Sequence, residues 1–184
     1  STLNEELLLE FMLARATSVE ERTLLLQHAI DGIVGTFYNQ VVFADYELEA
    51  HRMVERDEPV TADALGELYA KTVESYWGDA IARDERTAWT WARIPHFFQA
   101  PYYVYQYATC MASTAALMEA VGSPDSARRD EGVSRYLDLL RAGGSDHPMT
   151  LLKQAGVDLS QPTAIRALVA RFDRLVSELE TALA

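Results

Sequence analysis

A lone cysteine, Cys110, rules out any disulfide within the 184 residues, and the chain needs no oxidising compartment to fold. Long apolar runs are missing as well. None approaches the ~20 residues a membrane-spanning helix requires, and no basic start leads into an apolar stretch of the signal-peptide kind. These absences predict a cytoplasmic location. Positive charge is scarce: 16 Lys and Arg face 28 Asp and Glu, a net charge of -12. A surface that negative repels phosphate backbones and anionic lipid, which argues against nucleic-acid and membrane partners. Strand-type alternation, internal repeats and low-complexity stretches are all absent. The chain also lacks an initiator methionine, and its start at Ser1 suggests processing or a piece of something longer.

What is present is helical spacing almost throughout, so the expected fold is all-α, a single helical segment over residues 1–184. Leu3 to Ala14 is apolar on most of its circumference and predicts a helix buried on several sides. Ser18-Val19-Glu20-Glu21 is a capping box opening a helix towards Gln40. Further helices are expected over Val41 to Val54 and from Thr61 to about Trp77, where Gly78 is a suitable terminator. Asp79 to Pro101 is the least regular stretch. Pro101 suits the first turn of a helix running to Val121, because its missing N–H is unpaired there anyway. Small residues in that helix (Ala108, Ala112, Ser113, Ala115, Ala116) allow close approach of a neighbour, and Cys110 among them reads as a packed, inert thiol. Ser123-Pro124 is expected to open the next helix, ending at Gly143-Gly144. A short one covers Ser145 to Gln154, and the last spans Pro162 to Leu183.

The chemistry is limited by four histidines, His28, His51, His96 and His147. None begins H-E-x-x-H and none follows a Glu by three, so neither a zincin helix nor a di-iron carboxylate bundle is encoded. Glu47, His51 and Glu55 share one helical face at i, i+4, i+8. They read first as a solvated charged face and second as a metal site. No Gly-rich phosphate loop and no G-x-S-x-G elbow occurs.

One stretch is dense in polar aromatics. From Arg93 to Tyr107 the sequence reads R-I-P-H-F-F-Q-A-P-Y-Y-V-Y-Q-Y, with His96 and the hydroxyls of Tyr102, Tyr103, Tyr105 and Tyr107. On a helix beginning at Pro101, Tyr103 and Tyr107 share a face, Tyr102 and Tyr105 another, and His96 lies just before its start. Neutral O–H donors beside an imidazole suit a carbonyl that becomes an oxyanion. The same spacing also suits an aromatic core with its polar tips satisfied.

Ile94-Pro95-His96-Phe97-Phe98 followed by Tyr103-Val104-Tyr105-Gln106-Tyr107-Ala108-Thr109 closely resembles the I-P-H-F-[YF] … Y-V-Y-Q-Y-A-T stretch of oligoendopeptidase F, a zinc peptidase family. Ser1-Thr2-Leu3-Asn4-Glu5 looks like the segment after that family's third zinc ligand. Phe43-Ala44-Asp45-Tyr46-Glu47 with His51, and Ala142-Gly143-Gly144-Ser145 with Ala155-Gly156-Val157-Asp158, match in order. Cys110 departs from the family's usual Gly.

The resemblance implies the C-terminal part of a mostly helical peptidase catalytic domain acting on short, unstructured oligopeptides. It implies zinc in the intact enzyme, held by an upstream segment bearing H-E-x-x-H and a later Glu, with no zinc bound by this chain itself. Glu5 would share the last ligand's helix without being a ligand. His96 is then expected to donate to the substrate backbone, and Tyr103 and Tyr107 to the oxyanion, with Tyr105 in reserve. A fragment of this kind is expected to be inactive alone. The alternative is a non-catalytic helical module that binds peptide or protein through its aromatic groove, and the apolar helix from Leu3 to Leu13 would also need a partner surface.

Overall fold

Ser18 begins the second helix as its capping pattern dictates: its hydroxyl accepts the Glu21 N–H at 3.1 Å, and the Glu21 carboxylate accepts the Thr17 N–H at 3.1 Å. The computed structural model describes residues 1–82 and 84–184. In order they form α1 (Thr2–Leu13), α2 (Val19–Ile33), a π-helical turn (Val34–Tyr38), α3 (Asn39–Glu55) and α4 (Ala62–Trp77). Two 3₁₀ turns follow (Gly78–Ala80 and Thr87–Arg93), then α5 (His96–Gln99), α6 (Tyr105–Val121), α7 (Ser126–Ala142), α8 (Pro148–Gln154) and α9 (Thr163–Leu183). No strand occurs among the described residues, and the all-α expectation holds.

The chain forms two compact units, Ser1–Val34 with Thr109–Ala184, and Gly35–Ala108. In the first, α2 packs along α9, burying Leu26, Ile33, Leu168 and Leu175. Here Arg171 of α9, only 5% exposed, pairs with Glu6 and, at 2.7 Å, with Glu10, so two acids one turn apart on α1 neutralise one buried guanidinium. A Cβ on Gly132 would lie 2.9 Å from Ala120, so α7 reaches the end of α6 only because position 132 has no side chain. The second unit has an aromatic core of Val42, Tyr46, Tyr69 and Val73, with Phe43, Trp91 and Phe97 against it.

Several expectations need correction. The α6 helix begins at Tyr105 and not at Pro101, because Tyr102 takes a left-handed φ of 59° that no right-handed helix accommodates. Asp125, not Ser123, caps α7, accepting from the Ala127 and Arg128 N–H groups. The irregular stretch contains short helices of its own. Cys110 is exposed, its sulfur 3.8 Å from the Thr2 hydroxyl, and not packed. Helix α1 buries Leu3, Leu9 and Leu13 but leaves Leu8, Phe11 and Met12 exposed. Among the described residues no helix is long and apolar enough to cross a membrane.

Candidate active site

Pro95 starts α5, and its carbonyl accepts the Phe98 and Gln99 N–H groups. Phe97 drives this short helix into the aromatic core. Its ring meets Tyr46 at 5.3 Å and Phe43 edge-on at 5.9 Å, which fixes His96 beside it. After the Tyr102 turn, Val104 is 1% exposed and anchors the start of α6. Burial, with Tyr69 beside it, pushes the Tyr46 phenol well above the usual tyrosine range, so it remains a neutral core group. The Tyr69 phenol is also raised by burial, partly offset by Arg93.

Three of the expected side chains come together. His96 Nε2 lies 3.1 Å from the Tyr107 hydroxyl, within hydrogen-bond distance. The Tyr103 ring stacks on His96 at 5.7 Å and 14°, and Tyr107 stands edge-on to both, at 5.7 Å and 5.5 Å. Tyr103 and Tyr107 therefore meet without sharing a helix, since the first precedes α6. The rings are not sealed inside this unit: Tyr103 is 40% exposed and His96 and Tyr107 are partly so. Tyr105 stands apart, 51% exposed and, among the described residues, in ring contact with none of the three.

The face with Glu47 and His51 is not a solvated one. Glu47 is 3% exposed and accepts the Tyr102 N–H at 2.9 Å, while the His51 ring stacks on Tyr102 at 4.6 Å. Sequence reasoning missed this partnership, which spans 55 residues. A pocket of about 190 Å³ opens alongside, walled by Tyr46, Glu47, His51, Trp91, Phe97 and Phe98 among others. No group of three or more His, Cys, Asp or Glu among the described residues can hold a metal ion, so Glu47, His51 and Glu55 do not fit a zinc site, nor does any other set here.

An imidazole in hydrogen-bond contact with one phenol and stacked on another is thus reached from solvent. The sequence profile of Peptidase family M3 matches residues 1–170, and the chain belongs to that family. It is 37% identical over 183 residues to Oligopeptidase PepF of Bacillus subtilis (strain 168), covering 98% of this chain and 26% of the relative. The plasmid-borne Oligoendopeptidase F of Lactococcus lactis subsp. cremoris is 35% identical over 180 residues, again 98% of this chain and 29% of the relative. The crystal structure of oligoendopeptidase-F from Enterococcus faecium superposes with a TM-score of 0.91 at 34% identity, over 100% of this chain and 34% of that one. The resemblance read from the motifs is thus borne out. The chain spans about a quarter to a third of the length of these relatives.

Proposed function

We propose that this chain supplies the substrate-positioning and oxyanion-stabilising side of an oligopeptide-hydrolysing metallopeptidase. The observation that carries the proposal is the contact of His96 Nε2 with the Tyr107 hydroxyl under the Tyr103 ring, in a chain of a peptidase family. His96 orients the scissile carbonyl through a hydrogen bond, and Tyr103 and Tyr107 donate to the oxygen as negative charge develops on it. Removing one such donor lowers turnover by roughly 10²–10³. Tyr105, outside the cluster, is the weaker candidate.

The zinc and the general base that the resemblance implies are assigned to a segment outside this chain, bearing H-E-x-x-H, and the roles above concern this chain's own side chains. The exposed Leu8, Phe11 and Met12 on α1 support a covering segment of that kind. A short oligopeptide substrate and a cytoplasmic location belong to the same proposal. Hydrolysis of a quenched fluorescent oligopeptide tests it. The isolated chain should be inactive, and activity should appear when the H-E-x-x-H segment is joined to it and zinc is supplied. Robust zinc-dependent cleavage by the isolated chain contradicts it, and stoichiometric peptide capture without any turnover in the joined protein would favour a binding module instead.

A further inference from the structure

We infer that Glu47 is a positioning residue for the His96–Tyr103–Tyr107 cluster: from α3 its buried carboxylate grips the backbone of Tyr102 and so sets Tyr103 against His96. The hold on Tyr102 is a matter of geometry, while its consequence for turnover rests on the function proposed above.

A carboxylate is rarely buried to the extent of Glu47, 3% exposed, unless a donor offsets its desolvation. Here the donor is the Tyr102 N–H at 2.9 Å. A hydrogen bond to an ionised acceptor is among the strong ones. The residue it grips is the one that needs holding. Tyr102 has φ of 59°, where its Cβ crowds the backbone, and a side chain persists there only when its surroundings over-determine it. Two contacts from α3 do so, the Glu47 carboxylate on the amide and the His51 ring stacked on the phenol at 4.6 Å and 29°. Glu47 and His51 are four residues apart, one turn of the same helix face, so a single rigid element applies both.

The left-handed residue is where the chain changes direction. The α5 helix has ended at Gln99, Tyr103 N–H bonds back to the Ala100 carbonyl at 3.2 Å, and α6 starts only at Tyr105. Tyr103 thus owes its parallel stacking on His96 to the turn at Tyr102 and not to a helix of its own. Relaxation of Tyr102 to an ordinary φ would swing the next residue away from the imidazole. Glycine at 102 would hold the same φ without steric cost.

The test has two arms. In the 184-residue chain, Glu47→Ala should speed hydrogen exchange of the Tyr102 amide by roughly tenfold or more while core amides such as Leu26 keep their protection. Glu47→Gln, whose side-chain carbonyl still accepts, should keep most of that protection. In the joined, active protein, Glu47→Ala should lower kcat by roughly 10- to 100-fold with little change in KM. Glu47→Gln should recover most of the loss, and Tyr102→Gly in the Glu47→Ala background should recover part of it. An unchanged Tyr102 amide in Glu47→Ala, or Glu47→Gln as damaging as Glu47→Ala in both arms, overturns the inference. Should His96→Ala leave kcat untouched, the proposed function fails instead, and the exchange arm still judges the grip on Tyr102.

Discussion

His96 and Tyr107 share one hydrogen bond, and which of them donates decides what each can offer a substrate. If the Tyr107 O–H points at Nε2, its proton is spent within the protein. If Nε2 carries the proton and donates to the phenol oxygen, the Tyr107 O–H is free for a developing oxyanion. The two proposed roles together therefore require a proton on each ring nitrogen of His96, Nε2–H for the phenol oxygen and Nδ1–H for the substrate carbonyl, and the two residues act as one device. His96→Ala and Tyr107→Phe are each expected to lower kcat by roughly 10²-fold, with the double variant well short of the product. Additive losses, measured in a double-mutant cycle, would separate them. At this scale the motif pointed to side chains that the fold does bring together, since His96, Tyr103 and Tyr107 stand within a dozen residues of sequence. It could not expose Glu47: a carboxylate at i, i+4 from a histidine looks like any charged helix face, and its partner is 55 residues away.

At the scale of elements, legibility followed local chemistry. The Ser18 and Thr61 caps were readable because an N-cap hydroxyl bonds within its own first turn, as the Ala64 N–H to Thr61 bond at 3.2 Å does. The start of α6 was not, because Pro101 is a good first-turn residue while the left-handed Tyr102 after it is imposed from α3. The Glu6–Arg171–Glu10 cluster was equally hidden, joining α1 to α9 across most of the sequence. Arg171→Ala should cost about 3–5 kcal/mol, because it strands the buried Glu6 without a partner. Glu10→Ala should cost about 1 kcal/mol or less, since its side chain is 46% exposed. Denaturant unfolding of the two variants checks the contrast, and equal losses would mean that the cluster is held by packing alone.

At the scale of the whole molecule, the chain is a quarter to a third of its peptidase relatives in length, and its own residues provide no metal set among those described. What it does provide is an oriented group of one imidazole and two phenols on an acidic, helical body. Helix α1 leaves Leu8, Phe11 and Met12 exposed, the apolar surface that the proposed H-E-x-x-H segment would cover. The most direct measurement is the steady-state kinetics of Tyr103→Phe in the joined, active protein. A phenol that donates only to the transition state predicts a fall in kcat of roughly 10²–10³ with KM nearly unchanged. A kcat equal to that of the unsubstituted protein would show Tyr103 to be packing against His96 and nothing more.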